Sequence, residues 1–304
     1  MHRVTDPTNR MALMVQCAIQ AALTIFLSVS AYSQTSGQQD IHSNQSQTVS
    51  EPDLINPDRP GIADGSTVVG ARTFQIETGI DLEFRRSGDT NTHTFFVPTL
   101  LRFGFASHWE ARVEGNTFTR VTTFDSGNKT DQRSGFAPTS IGLKYQFYNS
   151  SGDHQITLGT IVRVFPTWGS GDFHPQHTTG DIRLAADWNF APRLKLSLNP
   201  NVGVARYEDD QGRLFTAGLF AVTLNYLPTK RLNPFVDIGV QSPELSEGLS
   251  SAIVDGGLAY AIERNIELDA SVGTRVHGIT GPQPFMSFGI SWRTKLFQRE
   301  RGHH

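Results

Sequence analysis

The chain has 304 residues, a formal net charge of −3 and a single cysteine. That balance lacks the basic face a nucleic-acid partner needs, so no nucleic acid is expected, and one cysteine cannot build a disulfide framework. A mean hydropathy of −0.29 argues against a bundle of membrane-crossing helices. It suits a transmembrane barrel, because half of each barrel strand faces water.

Arg3 and Arg10 precede an apolar run from Met11 to Ala31, and small residues at 29–31 and 31–33 suit a cleavage site. This pattern predicts an export signal peptide over residues 1–33, with Cys17 removed along with it. Residues 34–55 are rich in Gln, Ser and Thr and poor in apolar side chains, so they read as a disordered linker.

From Phe74 the pattern takes a period of two. In Phe74-Gln75-Ile76-Glu77-Thr78-Gly79-Ile80-Asp81-Leu82-Glu83-Phe84 the even positions are nearly all apolar, while Glu77, Asp81 and Glu83 take odd ones. Successive strand side chains point to opposite faces, so one face avoids water and the other seeks it. The same sorting predicts about twelve strands, at 72–86, 93–105, 109–120, 139–148, 154–165, 181–190, 194–206, 214–227, 232–241, 251–262, 265–276 and 284–296. Short links at 106–108, 149–153, 191–193, 228–231 and 263–264 alternate with longer ones, notably 122–138 and 166–180. Such barrels place short turns on the periplasmic side and longer loops outside, which leaves both termini in the periplasm. The expected fold is all-β: an antiparallel up-and-down transmembrane barrel over residues 56–298, with a tail at 299–304. Its expected place is the bacterial outer membrane, with the outer-membrane lipids as immediate partners.

Two details bear on that reading. Pro98 and Pro200 fall inside predicted strands, where each removes a ladder hydrogen bond and implies a bulge or a shifted boundary. Phe74, Phe105, Trp109, Tyr145, Phe147, Trp188, Phe190, Tyr226, Tyr260 and Trp292 map to strand ends beside the short turns. They predict an aromatic girdle at the periplasmic interface.

Once the apolar side chains fix the outward positions, the inward set contains Glu77, Asp81, Glu83, Arg102, Arg112, Glu114, Lys144, Arg163, Arg183, Asp187, Asp237, Asp255, Asp269, Arg275 and Arg293. Arg85, Glu110, Asp181, Lys195 and Glu267 share that phase. A lipid-facing Arg or Lys near the bilayer midplane would cost roughly 2–4 kcal/mol, which explains the one-sided sorting. These residues read as lumen-lining, either as a network that fills and stiffens the barrel or as the wall of a water path. Eight-stranded barrels are filled by side chains and sixteen-stranded ones leave a channel, so twelve strands predict a narrow, partly occluded lumen of mixed charge.

No catalytic, cofactor-binding or metal-ligating residue is assigned. His93, His108, His154, His174, His177 and His277 fall at predicted loops or rims without the spacing of a nucleophile and its base. His174 and His177, on either side of Pro175, make only a weak metal cue. The glycines read as turns and as strand positions that need curvature.

Just before the first strand stand Asn56-Pro57-Asp58-Arg59-Pro60-Gly61, then Val68-Val69-Gly70 and Thr73-Phe74-Gln75-Ile76-Glu77-Thr78-Gly79. This stretch resembles the start of the putative MetA-pathway-of-phenol-degradation family of bacterial outer-membrane barrels, in which an Asp-Arg-Pro element precedes a first strand of the form Phe-Gln-hydrophobic-Glu-x-Gly. The resemblance implies a transporter-like barrel that passes small compounds, aromatic or otherwise hydrophobic ones among them. Such barrels commonly finish on an aromatic residue, whereas here Gln298 to His304 follow Phe297. Asp58 and Arg59 are the matched motif residues. They are candidates for an N-terminal plug that pairs with lumenal charges, or they belong to a plain turn between Pro57 and Pro60.

The sequence thus points to a narrow passive pathway or uptake channel that is not an enzyme and uses no cofactor. One rival is a structural or surface-interaction barrel with an occluded lumen, using its long loops around 125–135 and 166–180. The other is a barrel-embedded lipid hydrolase.

Overall fold

A computed structural model describes residues 54–136, 139–279 and 281–296. The expected signal peptide, all of the expected linker but Leu54 and Ile55, and the expected tail lie outside the described residues.

Alternating side chains fold as thirteen strands among the described residues: β1 (Thr73–Ser87), β2 (Thr90–Ala106), β3 (Trp109–Asp125), β4 (Asn128–Gly135), β5 (Thr139–Asn149), β6 (Ile156–Phe165), β7 (Thr179–Ala191), β8 (Leu196–Glu208), β9 (Leu214–Tyr226), β10 (Leu232–Ser242), β11 (Ser251–Glu263), β12 (Ile266–His277) and β13 (Phe285–Lys295). All but β4 form the barrel. Antiparallel neighbours follow one another in chain order, β3 passes over β4 to pair with β5, and β1 pairs with β13 to close the ring. Closure leaves no sheet edge at membrane level, where an unpaired backbone group would find no water.

The twelve-strand barrel expected from sequence is what forms, with one addition. The stretch 122–138, expected as a loop, carries the outer end of β3 and all of β4, joined by Ser126 and Gly127 at φ values of 48° and 84°. Two consecutive positive φ values are the demand of a tight hairpin turn. Pro98 sits at a register shift between β2 and β3. At Pro200 the ladder between β7 and β8 is interrupted, with pairs at Asn201 and Leu198 but none between them.

Outward positions form an apolar band that includes Val113, Ile141, Val162, Ile182, Val236, Leu258, Val272 and Phe288, all exposed. A water-soluble protein would bury these side chains. Trp109 stacks on Tyr145 with ring centroids 4.3 Å apart, and Trp188 lies 5.8 Å from Phe190. Tyr226, Tyr260 and Trp292 are exposed near other strand ends on the same rim. The interior is the reverse of an ordinary core, since its largest fully buried side chains include Arg102, Arg112, Lys144, Glu77 and Glu110.

Candidate functional site in the barrel lumen

Residues 54–72 run inside the barrel. At the periplasmic mouth the N–H of Ile55, which is buried, donates to the carbonyl of Arg264 at 2.8 Å. At the other end of the segment the N–H of Arg72 donates to Gly104 at 2.6 Å, and β1 begins one residue later. A buried segment without strand partners must satisfy its backbone donors some other way. Wall side chains do this: Glu77 accepts from the N–H groups of Asp58 and Arg59 (2.9 and 3.0 Å), Asp237 from Ile62 (3.0 Å), Asn201 from Asp64 (3.0 Å), Asp187 from Ser66 (3.0 Å) and Glu110 from Val69 (2.9 Å). Acidic residues of the wall therefore serve as fixed acceptors for a chain that brings its own donors.

The wall is electrically divided. Arg102, Arg112, Lys144, Arg163 and Arg183 come from β2, β3, β5, β6 and β7, while Asp237, Asp255, Asp269 and Asp81 come from β10, β11, β12 and β1. Each half holds some of the opposite sign, such as Glu110 and Asp181 on the first and Arg275 on the second. Asp58 and Arg59, adjacent in sequence, part to opposite halves. The Asp58 carboxylate accepts from Lys144 at 2.8 Å and from Arg112, with Arg102 at 3.6 Å. Arg59 donates to Ser287 at 2.7 Å and lies 3.4 Å from Asp269 and 3.6 Å from Asp81. Asp64 adds a second anion to the basic half, bridging Arg112 at 3.2 Å and Arg183 at 3.1 Å. Burial alone would push the carboxyls of Asp58 and Asp64 up, but the cations around each outweigh it and hold both below the ordinary carboxylate range.

Around this centre the barrel pairs its own charges. Arg102 donates to Glu110 at 2.7 Å and to Glu77 at 2.9 Å, and Arg163 makes a two-pronged contact with Asp181 at 2.9 and 2.6 Å while reaching Glu114 at 2.8 Å. Asp187 holds the Ser66 hydroxyl at 2.7 Å. Asp255 stands directly across the ladder from Asp237. Glu83 and Arg275 lie toward the extracellular ends of their strands, and Arg293 lies at the periplasmic end, where it donates to the carbonyl of Arg264 at 3.4 Å. Lys195 is not inside. It ends a short 3-10 turn at 192–194 with φ 58° and gives its ammonium to the carbonyl of Pro228, because β8 starts at Leu196 and not at 194.

Three contributors carried no signal of their own in the sequence: Asp64, Ser66 and Asn201. Glycines were a signal, read there as curvature. An added Cβ would stand 2.6 Å from the Ser66 carbonyl oxygen at Gly159 and 2.9 Å from Ile62 at Gly239. Real Cβ atoms do not tolerate such distances, so the wall is notched where the segment lies.

Cavities flank the segment. One of about 450 Å³ opens on the extracellular side among Arg59, Ile62, Leu100, Arg112, Arg163 and Phe165. A second, of about 730 Å³, lies at the periplasmic mouth beside Leu54. Glu110 and Lys144, which line neither cavity, are fully buried. Outside, the loops are tied side to side. Ser170 accepts from the Phe136 N–H at 2.8 Å, Glu208 from His177 at 2.8 Å, Glu244 from Ile279 at 3.0 Å, and Arg213 meets Glu247 at 3.0 Å. Asp209 accepts from Ser246, and that hydrogen bond, aided by those from Arg213 and Gln211, pulls its carboxyl down to about 2. Among the described residues no cluster of three or more His, Cys, Asp and Glu is arranged to hold a metal ion. His174 turns its Nδ1 to the carbonyl of Gly171 at 2.7 Å.

A family model described as Putative MetA-pathway of phenol degradation matches residues 57–294. No curated protein sequence matches the chain. Among solved structures, an outer membrane channel from Pseudomonas putida F1 is similar over 77% of this chain and 99% of its own, with 9% identity and a TM-score of 0.62. The NanC porin aligns over 74% of this chain and 100% of its own, with 10% identity and a TM-score of 0.42. For the CymD monoaromatic hydrocarbon channel the values are 77%, 90%, 9% and 0.41. At 9% identity the likeness to the Pseudomonas channel is one of fold.

Proposed function

We propose that this chain, which belongs to the family of the putative MetA-pathway of phenol degradation, forms a narrow passive pathway across the outer membrane for small molecules, hydrophobic or aromatic ones among them. In this reading residues 1–33 direct export, 34–55 link, and 56–298 form the channel. The inward charges line the path, residues 54–72 act as its plug, and the protein performs no catalysis.

The observation that carries the reading is the charge-matched fit of Asp58 and Arg59 into a divided lumen that keeps a cavity on either side. A barrel built only for rigidity has no use for a separate segment, since its own side chains can fill it. Here the wall is notched by glycine to admit one. The solute class rests on the family's description, and the narrowness on the fully buried Glu110 and Lys144.

Conductance in planar bilayers tests the proposal. Wild-type protein is expected to show small or infrequent openings, and the double variant Asp58→Ala/Arg59→Ala larger and steadier ones, with faster entry of phenol into liposomes. If neither protein conducts or passes phenol, the pathway is refuted. The structural barrel would then stand, a reading that these buried charges favour.

A further inference from the structure

Inside the barrel Arg59, Arg102, Arg112, Arg163 and Arg183 each lie within ion-pair distance of a carboxylate. Three arginines on the outside do not. Arg86 on β1, Arg120 on β3 and Arg206 on β8 are exposed and share the outward phase of Phe84, Phe118 and Val204, each two residues earlier. Among the described residues none of the three takes part in an ion pair. Arg86 gives its Nε to the carbonyl of Gly88 at 3.3 Å, and Arg206 gives a guanidinium N–H to the Thr216 hydroxyl at 3.0 Å. The Arg120 guanidinium lies over the Phe95 ring at 5.6 Å, and Phe95 in turn meets Phe118 edge to face at 6.0 Å. All three arginines stand at one height. Ile76 lies across the ladder from Trp292 and Leu196 across from Tyr226, two rings of the periplasmic girdle, and Trp109 is a third. Arg86, Arg206 and Arg120 follow Ile76, Leu196 and Trp109 by ten, ten and eleven positions, and Thr117, unpaired at the register shift, takes up one of the eleven. Ten residues rising about 3.3 Å each on a strand tilted by about 40° climb about 25 Å, the height of the apolar band of such a barrel. The three guanidinium groups therefore sit at the outer interface, where the cost of a lipid-facing cation falls away.

We infer that these arginines bind the phosphate groups of the anionic glycolipid of the outer leaflet, with Arg120 as the principal site. Arg suits phosphate because its planar fork can form two charged hydrogen bonds at once. A guanidinium that lies over a ring keeps its N–H edge for such an acceptor. Carboxylates do not compete for it: the outward positions of β1, β2 and β3 carry no Asp or Glu. Glu208, two residues beyond Arg206 on the same face, is engaged by the N–H groups of Gln176 and His177. The side chains below the arginines, Phe84, Phe118 and Val204, suit a headgroup that carries acyl chains, since affinity at an interface combines apolar burial with charge attraction. The inference concerns the outside of the barrel and holds whether or not the lumen conducts.

Native mass spectrometry of the detergent-purified full chain with lipid A tests this, with dephosphorylated lipid A, phosphatidylglycerol and inorganic phosphate for comparison. Bisphosphorylated lipid A is expected to bind about tenfold more tightly than its dephosphorylated form, the ratio that one charged hydrogen bond of modest size gives. Arg120→Gln is expected to lose most of that ratio, and Arg86→Gln/Arg120→Gln/Arg206→Gln all of it. Arg120→Lys, which keeps the charge, is expected to retain most of it. Arg213→Gln, which removes an exposed cation already paired with Asp209 and Glu247, is expected to change nothing. Equal binding of the two forms of lipid A, or a triple variant that keeps the ratio, would overturn the inference. So would a loss in Arg213→Gln as large as that in Arg120→Gln, which would credit surface charge at large. Phosphatidylglycerol or inorganic phosphate bound as tightly as lipid A would also overturn it, by reassigning the arginines to phosphate of any source.

Discussion

Asp58 and Asp209 are each held by a cation and by backbone N–H donors, one within the lumen and one in the loop between β8 and β9. Asp58 has Lys144 at 2.8 Å and the Gly65 N–H at 3.0 Å, and Asp209 has the Arg213 guanidinium at 2.9 Å and the Gln211 N–H at 3.0 Å. Their partners differ sharply in exposure, with the Lys144 side chain at 0% and that of Arg213 at 43%. Water and salt can replace Asp209 as a partner for Arg213, so that contact orders a loop and contributes little else. Inside the barrel the exchange is harder: removing Asp58 leaves the fully buried Lys144 ammonium without its carboxylate, while Arg112 keeps Asp64 and Arg102 keeps Glu77 and Glu110.

The largest effect expected of a single substitution follows from that difference. Asp58→Ala leaves Arg112 and Lys144 without their shared partner, at a cost of about 3–5 kcal/mol, the range for breaking a buried pair from one side. In a Ser66→Cys background, where the native Ser66 is fully buried, the variant is expected to expose the thiol to a membrane-impermeant maleimide. Persistent protection would mean that the lumenal contact is no stronger than the loop contact.

Gly159→Ala attacks the same segment from the wall, with a Cβ placed 2.6 Å from the Ser66 carbonyl oxygen. Overpacking of this kind costs about 1–3 kcal/mol. Labelling is expected to increase less than in Asp58→Ala, with strand content by circular dichroism unchanged; loss of the strand signal would show that the glycine serves the barrel itself. Arg213→Ala, by contrast, is expected to leave both the thermal unfolding midpoint and the labelling at position 66 where they were. A shift as large as that of Asp58→Ala would erase the distinction between the two regions.

Acid sharpens the comparison through its absence of effect. Both carboxyls are held below the ordinary value, Asp209 at about 2. A depressed carboxylate contributes stability that is fully present above its unfolded value of about 3.9 and is lost only as pH falls through the folded value. Moving from pH 7 to pH 4 is therefore expected to leave both carboxylates charged and the Asp58 contacts in place, so release of position 66 at pH 4 would assign its control to the wall carboxylates that hold the segment directly, Asp187 on Ser66 and Asp237 on Ile62.

The barrel was legible because the membrane imposes a rule on every strand. Ile141, Leu143, Val162 and Val164 must face lipid, and Lys144 and Arg163 must not, so the period of two survives along the whole chain. Strand β4 was not legible, because Asn128 to Ser134 stand clear of the barrel wall, exposed on both faces, and alternation there has no cause. The lumenal contacts were legible only as candidates. Asp58 and Arg59 announced themselves by motif, but nothing local relates Asp64 to Asn201, 137 residues away, or Ser66 to Asp187, 121 away. Such pairings depend on closure of the ring. The notches at Gly159 and Gly239 look in sequence like any strand glycine and acquire their meaning only when Ser66 and Ile62 are seen against them.

Arg59 reaches Ser287 on β13 across 228 residues of chain, and Asp269 on β12 across 210. Asp58, one residue earlier, meets Arg102, Arg112 and Lys144 on β2, β3 and β5, so the segment finds some of its partners on the first strands of the chain and others on the last two. Its full set of contacts therefore exists only once the ring has joined end to end, and an unjoined sheet could grip it by one side alone.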